Sequence, residues 1–264
     1  MKTIRKYWAI FQITLLNSLA YPGELIARSF LIVPFMWIFF QLWNVTFHAS
    51  GTSDINGMTL YTTMWYLMMA ETIELSRPAL ARTISDSVKD GSIAYILNKP
   101  YNFLLYQFSN SMGETMFRAF INAIFGSAMV WWLVGPPPAP VGWLLAFLAL
   151  LGTWVLNFCI TCLIGLSAFL VEDVAPFMWI YQKFIFILGG FLIPLDFYPN
   201  WLQVIAKALP FSAMIYGPSK LFVAPSWELL GEVMLMQAVW IIASGTILAI
   251  AYRRGIAYLT VNGG

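Results

Sequence analysis

Charge is scarce in this sequence: 14 Lys and Arg and 12 Asp and Glu make up 10% of 264 residues, against about 25% in an ordinary soluble domain. That shortage excludes a typical water-soluble enzyme. Histidine occurs once, as His48, and cysteine twice, as Cys159 and Cys162. A single His without companions makes no metal site, and it leaves no cluster of His, Asp or Ser for a membrane-embedded enzyme. The two cysteines sit at i, i+3 in an apolar run with no His or acid beside them, so they read as reduced packing residues. A phosphate loop is missing too, because Gly217-Pro218-Ser219-Lys220 lacks the Gly-x4-Gly-Lys-Ser/Thr spacing. Nor do the two halves resemble one another, which argues against the internal repeats of an ion-coupled secondary transporter, the alternative reading that would use Glu71 and Lys183.

What the sequence has in abundance is apolar surface. It is 60% hydrophobic, with 12 Trp, 12 Tyr and 21 Phe, and its mean hydropathy is +0.76. One globular core cannot hide that much, so much of it faces lipid. The fold class expected is an all-α membrane protein in one transmembrane domain over residues 1–264. An amphipathic helix over 4–20 lies in the interface, basic at its start and broken by Pro22-Gly23. Gln12, Asn17 and Ser18 interrupt its apolar run, so it does not read as a signal peptide. Six hydrophobic stretches follow: Ile26 to Phe47, Met58 to Ser76, Phe103 to Val134, Val141 to Val171, Ala175 to Leu195 and Leu229 to Tyr252. Pro34 and Gly189-Gly190 are expected either to bend the first and fifth or to allow close packing there.

Orientation follows from the basic residues. Lys2, Arg5, Lys6, Arg77, Arg82, Lys89, Lys99, Arg253 and Arg254 fall on one side, and only Lys207 and Lys220 on the other. The positive-inside rule then puts both termini in the cytoplasm. The short Glu172-Asp173 turn is acidic although on the inner side, but acids weigh little in this rule. Trp131, Trp132 and Trp143 read as anchors at the outer interface.

Two connections are long enough to carry information. In the inner segment 80–100, Leu80, Ile84 and Val88 recur every fourth residue opposite Arg82, Asp86, Lys89 and Asp90, and Gly91 is a helix stop. The segment is either a short amphipathic helix in the cytosol, which a membrane subunit needs if a soluble partner is to push on it, or a solvated loop that returns the chain. The outer connection 194–225 is punctuated by Pro194, Pro199, Pro210, Pro218 and Pro225, with a short helix expected over Trp201 to Leu209. It is either a partly re-entrant cap or a surface hairpin, since irregular backbone at membrane depth must be covered.

Ionisable residues inside spans are functional candidates by default. Glu114 with Arg118, and Glu24 with Arg28, are spaced i, i+4 and read as interfacial ion pairs. Glu71, Glu74 and Lys183 are the candidate pathway or gate charges. By residue count Glu71 and Lys183 reach similar depth from the inner surface, so a contact within the chain or across a dimer is open.

The order of these elements resembles the permease subunits of type-2 ATP-binding-cassette exporters over essentially the whole chain. The segment Val88-Lys89-Asp90-Gly91-Ser92-Ile93-Ala94-Tyr95-Ile96-Leu97-Asn98-Lys99-Pro100 is similar to that family's coupling segment. Gly190-Phe191-Leu192-Ile193-Pro194 with Pro199-Asn200-Trp201-Leu202 is similar to its outer motif, whose residues here are Gly190, Pro194, Pro199 and Trp201. The ending Tyr252-Arg253-Arg254-Gly255 to Val261-Asn262-Gly263-Gly264 further resembles a bacterial subfamily in which two non-identical permeases accompany one ATPase. The family often carries a Glu near the start of the coupling motif, where this chain offers Asp86 or no equivalent. The resemblance implies a non-enzymatic permease of the bacterial cytoplasmic membrane, paired with a second permease. It implies docking of separate ATPase subunits on Thr83, Ile84, Asp86, Ser87, Val88, Lys89, Asp90 and Gly91. No cofactor is expected in this chain; ATP and Mg belong to the partner ATPase. No nucleic acid is implied.

Overall fold

A computed structural model of the chain describes residues 2–20, 22–171 and 173–262, without the side chains at 2, 3, 19, 22, 24, 25, 28 and 256–262. The side-chain pairing of Glu24 with Arg28, the turn residue Glu172 and the final Gly263-Gly264 of the C-terminal motif therefore lie outside what is described. Every regular element among the described residues is helical. In chain order they are α1 (Lys2–Ala20), α2 (Pro22–Ser29), α3 (Ile32–Ser50), α4 (Leu60–Leu75), α5 (Leu80–Lys89), α6 (Ser92–Leu97), α7 (Phe103–Val134), α8 (Pro140–Leu166), α9 (Ala175–Leu188), α10 (Asn200–Ala208), α11 (Pro210–Met214), α12 (Tyr216–Val223) and α13 (Trp227–Asn262). Among the described residues, the four helices long and apolar enough to cross a membrane lie at Ile32–Ser50, Phe103–Val134, Pro140–Phe169 and Trp227–Gly255.

Helix α4 is the hub. Thr59 and Thr62 cap its start reciprocally: the Thr59 hydroxyl accepts the Thr62 N–H at 3.2 Å and the Thr62 hydroxyl accepts the Thr59 N–H at 2.9 Å. Every residue from Thr63 to Ile73 is buried, so this helix meets protein on all sides. Its 16 residues span about 24 Å, short of a bilayer core.

Two of the expected spans are divided differently. The first stretch is not one helix, because α2 ends at Ser29 and α3 begins at Ile32. Pro34 supplies the reason: it has no N–H to offer the Phe30 carbonyl four residues back, and its ring crowds that carbonyl. The fifth does not bend at Gly189-Gly190 and continue to Leu195; α9 stops at Leu188 after 14 residues, about 21 Å. Gly190 takes φ +73°, a conformation that only glycine adopts freely, and its carbonyl accepts the Tyr66 hydroxyl at 2.7 Å. The chain beyond α9 is irregular, with Gly189, Gly190, Phe191, Pro194 and Leu195 buried and Leu192 and Ile193 exposed.

The helix ends sort into two sets. At one end the Tyr61 hydroxyl donates to the Pro136 carbonyl (2.8 Å) and the Asn56 amide to the Asp196 carbonyl (3.0 Å), gathering the loops after α3, α7 and α9. At the other, Lys6 Nζ donates to the Pro100 carbonyl (2.9 Å), the Asn102 N–H donates to the Tyr7 hydroxyl (2.8 Å), and Phe103 stacks on Tyr252. The second set, the basic end, carries Arg5, Lys6, Arg77, Arg82, Lys89, Lys99, Arg253 and Arg254.

The connection before α13 turns back into the bundle at the opposite end. Its Met214 carbonyl accepts the Thr153 hydroxyl at 3.2 Å, about 20 Å along α8 from Pro140. Gln237 of α13 holds the inserted segment, donating to the Ala149 and Ala213 carbonyls at 2.9 Å each. The short helix expected near Trp201 is α10; α11 and α12, buried between α4, α8 and α13, escape a reading based on proline alone.

Candidate functional site

Helix α5 forms because its apolar residues fall on one stripe. Leu80, Ala81, Ile84 and Ser85 are buried, while Arg82, Thr83, Asp86 and Lys89 face outward. Ile84 is fully buried and rests on α8 at Gly165, where a Cβ would come within 3.0 Å of the Ile84 Cβ. Of the residues expected to dock a partner, Thr83, Asp86, Lys89, Asp90 and Gly91 are exposed and Ser87 and Val88 half-buried. Ile84 is different: it does not reach the surface but anchors the helix to α8. The helix ends where Gly91, at φ +76°, turns the chain into α6, a second short helix. Hydrogen bonds from the side chain and N–H of Ser92 hold the Asp90 carboxyl below the ordinary carboxylate range.

Between α5 and the start of α9 lies a cleft of about 830 Å³. Arg82, Asp86 and Lys89 form one wall, Ala175, Met178 and Trp179 the other, and Arg77, Ser85 and Tyr181 line it more deeply. Lys89 Nζ lies 3.5 Å from Asp173 Oδ1 across the mouth. The Ala175 N–H, and then the Lys89 charge, hold the Asp173 carboxyl low.

Below the cleft the scarce charges meet. Glu74 pairs with Arg77 at 2.9 Å, and the Arg77 guanidinium lies 5.6 Å from the Tyr181 ring centre. The Tyr181 hydroxyl donates to Asn157 Oδ1 at 2.9 Å. Arg118 donates to the Arg77 carbonyl at 3.2 Å and pairs with Glu114. The Glu114/Arg118 pair is thus formed as expected, but it is largely buried and links α7 to the end of α4 instead of lying on a helix surface. These contacts tie α4, α7, α8 and α9 together at one level.

Glu71 is buried one helical turn further in than Glu74. Lys183 is exposed on α9, over the rings of Trp179 (5.0 Å) and Phe186 (5.6 Å). Among the described residues no carboxylate comes within 4.0 Å of Lys183. Within the chain, then, Glu71 and Lys183 are not brought together. The structure does join Glu74 to Arg77 and Tyr181, which the sequence reading left apart. The signal available was scarcity: Arg77 lies two residues past the end of α4, with an acid one turn before it.

At the opposite end Gly190 packs under Tyr66 as described, Pro194 leads into the turn Leu195–Phe197, Pro199 precedes α10 and Trp201 is exposed. The unforeseen element there is Asp196, which accepts from Lys220 Nζ at 2.9 Å and from the Tyr216 hydroxyl at 3.3 Å. Cys159 and Cys162 are buried free thiols, and no group of three or more metal-binding side chains occurs among the described residues.

No curated protein matches the chain. A family model described as ABC-2 family transporter protein matches residues 14–263. That match takes in every helix from the second half of α1 to the end of α13, and the chain belongs to this family of multi-pass ABC transporter permeases.

Proposed function

We propose that this permease works in an ATP-driven exporter with two ATPase subunits and a second, non-identical permease, in a bacterial cytoplasmic membrane with both termini inside. The basic end is then cytoplasmic, by the positive-inside rule. The observation that carries the reading is helix α5, an amphipathic helix held to α8 by Ile84 and Gly165 with Thr83, Asp86 and Asp90 turned outward at the basic end. Closure of the ATPases pushes on α5, and its contact with the start of α9 passes the displacement to the membrane helices. ATP and Mg bind the partner. Glu71, Glu74 and Lys183 serve the pathway, and the Gly190 to Trp201 segment closes its outer side. The family match does not favour an ion-coupled carrier.

Reconstitution tests this reading. Vesicles holding the chain with its co-purified partners are expected to hydrolyse ATP and move substrate only when ATP is supplied on the face that presents α5. Movement driven by a proton gradient without ATP contradicts the proposal.

A further inference from the structure

Another pocket, of about 330 Å³, lies at the opposite end, between the start of α13 and the segment α10 to α12. That volume falls in the range of small-molecule sites, about 300–1,000 Å³. Leu229, Val233 and Met236 give it an apolar wall, and Tyr216 faces them from α12. Behind it α12 and α13 touch, since a Cβ on Gly217 would come within 2.8 Å of Val233 Cγ1. The mouth faces away from the bundle, where Leu235, which also lines the pocket, is 66% exposed.

Two opposite charges line this pocket without meeting. Lys207 of α10 and Glu232 of α13 are both exposed and both border it. Among the described residues, no carboxylate lies within 4.0 Å of Lys207 and no cation within 4.0 Å of Glu232. Lys207 Nζ has only a long contact of 3.5 Å to the Gln203 side-chain oxygen, and stands 5.7 Å from the Tyr216 ring centre. The nearby Asp196 is already occupied by Lys220. The level is that of lipid headgroups: Trp227 at the start of α13 and Trp201 on α10 are exposed as interfacial anchors are, and Glu232 stands about 8 Å along α13 from Trp227. A pocket open to the bilayer at that level is filled by lipid. A Lys and a Glu held apart on its rim match a headgroup that carries both signs.

We infer that this pocket holds one zwitterionic phospholipid, its phosphate on Lys207, its ammonium on Glu232 and the first part of an acyl chain against Leu229, Val233 and Met236. A purely anionic head would satisfy Lys207 but set a second negative charge against Glu232, so the two side chains together select the zwitterion. The site goes beyond the permease reading: it needs the membrane setting and neither an ATPase nor a direction of transport.

Equilibrium binding to the purified full-length chain in neutral detergent tests the site. The probes are lysophosphatidylethanolamine, lysophosphatidylglycerol of the same chain length, and glycerophosphoethanolamine, which is the zwitterionic head without a tail. Wild type is expected to bind the zwitterionic lysolipid about fivefold more tightly than the anionic one, the scale of one partly screened ion pair. Glu232→Gln should abolish that preference by tightening the anionic lysolipid, and Lys207→Met should weaken both. Exchanging the charges, Lys207→Glu with Glu232→Lys, should restore the preference, which separates recognition of the head from damage to the fold. Glu228→Gln, an exposed neighbour that does not line the pocket, should change nothing. Equal affinity of wild type for the two lysolipids overturns the inference, as does a preference that survives Glu232→Gln. Glycerophosphoethanolamine binding as tightly as the lysolipid overturns it too, because the apolar wall would then take no acyl chain.

Discussion

Lys89 Nζ lies 3.5 Å from Asp173 Oδ1, and the same oxygen accepts the N–H of Ala175, so the last residue of α5 is tied to the first residue of α9. Both side chains are about half exposed, and such pairs add little to folding stability. Their value is positional. The pair joins the amphipathic helix at the basic end to the helix that bears Lys183.

Reversing one charge, by Lys89→Asp or Asp173→Lys, should leave the melting temperature nearly unchanged while lowering the substrate moved per ATP hydrolysed. The double reversal should restore most of that ratio. Paired transport and hydrolysis assays on the same vesicles measure it, and an unaltered ratio in both single variants removes Lys89 and Asp173 from the coupling route.

The same contact carries a pH expectation. Asp90 and Asp173 hold their protons less tightly in the folded chain than in an unfolded one. What they contribute is complete above about pH 3.9, the unfolded carboxylate value, and is lost as pH falls through their lower folded values. Spin labels on α5 and α9 should therefore report one distance from about pH 8 to about pH 5. A change inside that window would mean another group controls the contact.

Ile84→Ala removes the side chain that seats α5 on Gly165. A fully buried Ile truncated to Ala costs about 2–4 kcal/mol, here concentrated on one short helix. Hydrogen exchange should rise in Leu80–Lys89 before it rises in α8. Uniform exchange across both helices would contradict a local anchoring role.

At the opposite end, Lys220→Met leaves the largely buried Asp196 with only the weaker Tyr216 contact, at a cost of about 2 kcal/mol. Gln237→Leu strips donors from the Ala149 and Ala213 carbonyls, at about 1–2 kcal/mol. Both should lower the melting temperature in detergent, and Asp196→Asn combined with Lys220→Met should cost less than Lys220→Met alone. Additive losses would show that the two side chains act independently.

Composition and the placement of basic residues made the membrane class and the two-ended layout legible, because both depend on burial and charge averaged over many residues. The periodicity of Leu80, Ile84 and Val88 made α5 legible for the same reason. Apolar runs hid the rest. Phe30-Leu31 looks like any span interior, and only the missing N–H of Pro34 marks a break there. Leu188 to Leu195 is equally apolar, yet the chain leaves the helix because Gly190 can turn under Tyr66. In the candidate site, residue counting placed Glu71 and Lys183 at similar depth but carried no information on azimuth. Glu71 turned inward and Lys183 outward, while Arg77 met Tyr181 on α9, a tertiary contact with no local sequence signature.

The most direct measurement of the central claim is site-specific photo-crosslinking in the native membrane from probes at Thr83 and Asp86 on α5, with Trp201 as the probe at the opposite end. Adducts with a soluble P-loop ATPase are expected from both α5 positions and none from Trp201. No ATPase adduct from α5, or an ATPase adduct from Trp201, would contradict it.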